Sequence, residues 1–221
     1  MLPFTNDIFR SLTNVLKTHN VSAYEIRDSL DRTLLFYART QDDVEQLIDL
    51  GVDINHQDKL GHTVLFHVSS EEVINALVEH GIDVDRKDNE GRHVLATYGF
   101  FKYHDVFMRY ADRFKEKHII IDSLYCNQLE NIPSALKSLH DNGFRITLSR
   151  FVEIEHDPEK EKPDNFIQYK ERYIAVLDAL KEYCYLSTFH ELHQDIICRV
   201  YGNDKVKLFS YRDFRELIES M

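Results

Sequence analysis

The segment His190-Glu191-Leu192-His193-Gln194-Asp195 is the nearest this chain comes to a metal-hydrolase helix. That chemistry needs His-Glu-x-x-His, which sets two imidazoles one turn apart on one helix face. Here the second imidazole position is Gln194, so the pattern reads as a solvated helix face. The alternative is that His190 and His193 share a metal with a distant carboxylate. Cys126, beside Tyr125, is a nucleophile by residue type alone. No His or Asp is placed by sequence to activate it, and a packing thiol is the expected reading. The chain's 7 glycines fall at spaced turns and build no phosphate-cradling loop. Its 12 histidines are scattered. No catalytic residue, metal site or cofactor is expected, and the protein reads as a non-enzyme.

The elements that would position any site begin from composition. A chain of 221 residues with 43% hydrophobic and 29% charged residues can bury a real core. Scarce Gly and Pro, 7 and 4, favour helices joined by short loops. The formal net charge of −11 is spread along the chain, with 23 acidic and 17 basic residues up to position 150. Such a field repels phosphates, so nucleic acid and anionic membranes are disfavoured and a basic protein surface is favoured. Three cysteines without a close pair point to a reducing compartment. No basic-then-apolar leader and no apolar run of about 20 residues is present, so the expected location is the cytoplasm.

The dominant pattern is a repeat with a step of 30 residues. Gly51 and Gly81, Gly61 and Gly91, Asp58 and Asp88, and Leu65 and Leu95 all keep that step. Upstream, Asp28, Thr33, Leu35 and Phe36 match Asp58, Thr63, Leu65 and Phe66. A fixed period in this range implies stacked units that each bury an apolar face against the next. In the unit from Asp58, a turn through Gly61 leads to Thr63, which is expected to cap a short helix over 64–68. Ser69 and Glu72 have capping-box spacing for a second helix over about 71–80. Gly81 closes that helix in the left-handed conformation, and an extended return leads to the next turn.

Leu47-Ile48-Asp49-Leu50-Gly51-Val52-Asp53-Ile54-Asn55 and Leu77-Val78-Glu79-His80-Gly81-Ile82-Asp83-Val84-Asp85 resemble the second helix and return of the ankyrin repeat. Asp58-Lys59-Leu60-Gly61-His62-Thr63 resembles that family's hairpin tip. The resemblance implies an all-α, ankyrin-like helical solenoid with short hairpin turns. The family's unit is about 33 residues, so these are short between the helices. Its Thr-Pro-Leu-His start reads here as Thr33-Leu34-Leu35-Phe36 and Thr63-Val64-Leu65-Phe66. The histidine-mediated bonds between repeats are therefore expected to be replaced by packing of Phe36 and Phe66.

The expected organisation is an N-terminal capping helix in 1–27, repeats at 28–57, 58–87, 88–121 and 122–146, and a helical C-terminal cap or small module at 147–221. Asn20 would take the place of Gly51 in the capping segment. In the last region a charged stretch with Pro158 and Pro163 is a loop. Helices are expected from Asp164, over about 188–201, and around Phe214, Leu217 and Ile218.

A solenoid offers a surface, so the expected function is protein binding through the concave face and hairpin tips. By the resemblance, Tyr37, His67 and Thr97 face the concave side. The tips vary as Gln57, Lys59, Leu60 and His62, then Lys87, Asn89, Glu90 and Arg92. Varied side chains on a constant frame are the pattern of a recognition surface. The sharper expectation is an inhibitor or immunity protein, of bacterial type, that neutralises a basic toxin or nuclease. An effector or adaptor gripping a host protein is the alternative, and hydrolase or metalloenzyme activity within 147–221 is a third.

Overall fold

The computed structural model describes residues 6–19, 23, 26–68, 70–125, 130–154, 163–188, 190, 195–201 and 206–220. The chain divides into two compact units, Met1–Lys115 and Glu116–Met221. No helix among the described residues is long and apolar enough to cross a membrane.

In the first unit the 30-residue step becomes geometry. Helix α1 (Asn6–His19) precedes three turns of 3-10 helix, at Leu34–Tyr37, Val64–His67 and Val94–Ala96. Each turn leads into an α-helix: α2 (Gln41–Asp49), α3 (Glu71–Glu79) and α4 (Tyr98–Met108). The first element of each repeat is thus a single tight turn, because the next cap follows within a few residues. Thr33 caps its turn by accepting from Leu35 N–H at 3.3 Å. Thr63 makes no such bond, contrary to expectation. Thr40 and Asp43 form a full capping box on α2. On α3 the cap is Ser70, which accepts from Val73 N–H at 3.3 Å. Ser69, like Asn20, lies outside the described residues.

Gly51 and Gly81 end α2 and α3 at φ 80° and 84°, in the left-handed region where only glycine is unstrained. The side chains at matching positions then meet in one core. Leu35, Leu65, Leu95, Val44, Ile74, Leu47 and Leu77 are each at most 1% exposed. Burying each such side chain contributes about 1.5–3 kcal/mol before entropy is counted. The aromatic run after Thr97 is largely core as well. Phe100 and Phe107 are buried edge-to-face, with ring centroids 5.9 Å apart.

The second unit overturns the all-α solenoid with its helical C-terminal cap. It is built on a five-stranded mixed sheet. Strands β1 (His118–Tyr125) and β2 (Arg145–Ile154) pair in parallel, joined by helix α5 (Ile132–Asp141). The segment expected as a fourth repeat, 122–146, therefore carries the end of β1, helix α5 and the start of β2. Helix α6 (Pro163–Tyr183) forms where a long helix was expected. It leads to β3 (Cys184–Leu186), which pairs in parallel with the first part of β2. Strand β4 (Ile197–Tyr201) pairs in parallel with the last part of β2. Strand β5 (Val206–Ser210) runs antiparallel to β4, and helix α7 (Tyr211–Ser220) closes the chain. The helix expected over about 188–201 is thus replaced at its C-terminal end by β4.

One face of the sheet carries Ile119, Ile121, Ile146, Leu148, Val152, Ile154, Cys198 and Val200, all buried. Helix α5 packs on β2 and on α6, and Tyr173 of α6 meets Phe214 of α7 edge-to-face at 6.1 Å. The opposite face leaves Ile120, Tyr185 and Leu208 between 52% and 61% exposed. Within that face Glu153 is fully buried and bound by the Arg199 guanidinium, whose Nε donates at 2.8 Å. Arg199 also lies over the Phe151 ring at 4.4 Å.

Candidate functional site

The hairpin tips of the first unit are built by one device used three times. Asp28 Oδ1 accepts from Leu30 and Arg32 N–H at 2.8 and 2.9 Å. Asp58 Oδ1 accepts from Leu60 and His62 N–H, both at 2.9 Å. Asp88 Oδ1 accepts from Glu90 and Arg92 N–H at 2.9 and 2.8 Å. Aspartate suits this place because its short carboxylate can close an Asx-type turn on its own backbone. Adjacent tips are then linked, Lys59 N–H donating to Leu30 O at 2.9 Å and Asn89 N–H to Leu60 O at 3.0 Å.

Several of the expected recognition side chains belong to this ladder. Gln57 Nε2 donates to Lys87 O, Lys59 Nζ to Ser29 O, and Asn89 Nδ2 to Lys59 O, at 2.8–2.9 Å. They hold one tip to the next. Arg92 folds onto Asp88 and Glu90, and Thr97 caps α4. Lys87 forms an isolated bridge with His93 across the base of its hairpin. Leu60 stands 53% exposed at its tip and Leu30 40% exposed one repeat earlier, with the exposed Glu90 one repeat later. Leu30 was not among the residues singled out from sequence, although the step of 30 from Leu60 marks it.

Behind each tip the second carboxylate oxygen needs a partner, and here the repeats diverge. Asp28 Oδ2 takes Arg32 Nε at 2.8 Å and the Tyr37 hydroxyl at 2.7 Å. Burial alone pushes the Asp28 carboxyl up. Bonds from Tyr37, from the Arg32 backbone and guanidinium, and from Leu30 N–H outweigh that and hold it down at about 2. Asp88 is likewise pushed up by burial, but bonds from the Arg92 guanidinium, whose Nε lies 2.7 Å from Oδ2, and from Arg92 and Glu90 N–H together outweigh that and lower it.

In the middle repeat the arginine is replaced by His62 and the tyrosine by His67. Asp58 is 1% exposed at its side chain and its Oδ2 has no hydrogen-bond partner. His67 Nε2 faces it from 3.7 Å, beyond hydrogen-bond reach. His67 Nε2 also lies 3.1 Å from His62 Nδ1, and His62 Nε2 is 3.5 Å from Asp88 Oδ2. His62 stacks on Phe66 at 4.8 Å, and His67 leans on Phe36 at 5.6 Å. Phe36 and Phe66 therefore hold imidazoles in place. Burial and the neighbouring His62 lower the His67 pKa, against a smaller opposing pull from Asp58. Sequence reasoning placed His62 and His67 on the surface but missed their convergence on Asp58. The loss of Arg at the position held by Arg32 and Arg92 was the available signal.

The depressed Asp28 value has a measurable consequence. Its folded pKa lies below the ordinary 3.8, so its contribution is complete above about pH 5 and is lost as pH falls toward 2. After allowance for solvent screening the contribution is about 1–2 kcal/mol. Urea titrations at neutral pH and at low pH should show Asp28→Asn losing less stability on acidification than the native chain, by that amount. Equal acid losses in the two proteins would refute it.

In the second unit, His190 is buried and accepts from Ile197 N–H through Nδ1 at 3.3 Å. It is not on the solvated face expected for it. Glu191, Leu192, His193 and Gln194, and likewise Cys126, lie outside the described residues. Cys198 is buried in β4, and burial pushes the Cys184 thiol up to about 12. No family model and no curated protein matches this chain.

Proposed function

We propose that residues 28–115 form an ankyrin-like protein-binding module whose partner docks on the hairpin tips and the adjoining turn face. The observation that carries this reading is the contrast between frame and tip. Three aspartate-closed hairpins repeat the same backbone bonds, while their outermost side chains are Leu30, Leu60 and Glu90. Two exposed leucines on linked, rigid tips present apolar contact area at little entropic cost. Tyr37 and His67 line the turn behind them. The net charge of −11 favours a partner with a basic surface, and neutralisation of a basic toxin or nuclease in the cytoplasm is the specific role that fits.

The test uses the full chain immobilised against extract of its source cells, with retained proteins quantified by mass spectrometry. A basic protein should be enriched by the native chain at low salt. Its recovery should fall at least about tenfold with Leu30→Asp combined with Leu60→Asp, the loss expected for central contact residues. A retained set that does not change with those substitutions rules the tips out as the docking surface.

A further inference from the structure

We propose that Asp58, His62 and His67 bind a divalent transition metal, with zinc as the best fit. The comparison between repeats supplies the reason. Where Asp28 and Asp88 receive a guanidinium, Asp58 receives none, yet its Oδ2 is buried and unpartnered. A buried carboxylate oxygen that receives no hydrogen bond is costly, and a cation bound there would relieve that cost. The groups that replace arginine and tyrosine at this repeat are both imidazoles, which are metal ligands in their neutral form.

The donor geometry agrees. One ligand atom from each of the three residues lies within 4.8 Å of the others. His62 Nδ1 and His67 Nε2 are 3.1 Å apart, and His67 Nε2 and Asp58 Oδ2 are 3.7 Å apart. Tetrahedral zinc, with bonds of about 2.0–2.1 Å, requires donors about 3.3 Å from one another. The two observed spacings bracket that value.

The surroundings also match a metal site. Asp58 Oδ1 is tied to two backbone N–H groups, which orients Oδ2 toward the imidazoles. His62 Nε2 faces the buried Asp88 carboxylate at 3.5 Å, the arrangement that fixes the tautomer and orientation of a ligating histidine. Two nitrogens and one carboxylate select zinc, cobalt or nickel over magnesium and calcium, which prefer oxygen cages. His67 is 34% exposed at its side chain, so a fourth position opens toward solvent. The site holds whether or not the tips take a partner.

Cobalt reports coordination through visible absorption. Tag-free full chain, stripped with chelator, should take up one equivalent of Co²⁺ with a tetrahedral spectrum that Zn²⁺ displaces. The decisive variant is His62→Arg with His67→Tyr, which copies the first repeat and keeps ten of the twelve histidines. It should fold with an unchanged circular dichroism spectrum, melt at a higher temperature than the stripped native chain, and bind Co²⁺ at least about a hundredfold more weakly. Absence of one-equivalent binding by the native chain, or unchanged binding by the folded variant, overturns the proposal. If that variant does not fold, Asp58→Asn replaces it, and undiminished binding there overturns the proposal equally.

Discussion

Gly61→Ala should lower the unfolding free energy of the first unit by about 2–4 kcal/mol, whereas Gly81→Ala should cost about 1 kcal/mol. Both glycines have positive φ, 79° and 84°. Strain in the left-handed region is therefore common to both substitutions. The difference lies in space. A Cβ on Gly61 would sit 2.5 Å from the backbone nitrogen of Asn89 and 2.5 Å from its Oδ1. Asn89 N–H donates to Leu60 O in the ladder between tips, so it cannot retreat without breaking that bond. At Gly81 the added Cβ would meet nothing within 4 Å. Urea midpoints of the two variants separate strain from steric exclusion. Equal losses would mean that the two hairpins are not in close contact at Gly61.

Arg199→Leu should destabilise the second unit by about 2–4 kcal/mol. Glu153 is fully buried on the sheet face opposite the helices, and Arg199 is the cation bound to it. Removing the guanidinium alone leaves a carboxylate in an apolar setting, where the uncompensated charge is the main cost. Partial exposure of Arg199, at 31%, keeps the value below that of a wholly enclosed pair. Replacing both residues, Glu153→Leu with Arg199→Leu, should recover most of the loss, since apolar pairs of similar volume often match buried ion pairs. Chemical denaturation of the single and double variants measures this directly. A double variant no more stable than Arg199→Leu would show that the guanidinium acts through its contact with Phe151 instead.

The first unit was legible because its information is local. Aspartate at 28, 58 and 88 closes a turn with its own backbone, glycine at 51 and 81 takes the left-handed angle, and leucine at 35, 65 and 95 enters the core. Each of these needs only a few neighbours in the chain. The second unit was not legible in the same way. Ile119-Ile120-Ile121 is a short apolar run, and such a run is consistent with either a buried strand or part of a helix. Its partner β2 begins at Arg145, beyond a whole helix. Asn142-Gly143 imitates the end of a repeat helix because α5 does end there, with Gly143 at φ 79°. The extended return expected after each repeat glycine is a second turn instead, closed by His56 N–H on Asp53 O and by Arg86 N–H on Asp83 O, whereas the chain beyond Gly143 runs straight on as β2.

The amino-acid order alone thus determined the period, the turn residues and the buried stripe of residues 28–96, since these follow from backbone preferences and short-range hydrogen bonds. Tertiary structure decided two things. It placed 118–125 and 145–154 side by side in a sheet, because strand pairing is a contact between distant segments that neither segment encodes by itself. It also turned His62 and His67 toward the bare oxygen of Asp58, because the direction of a side chain depends on the aromatic rings stacked behind it.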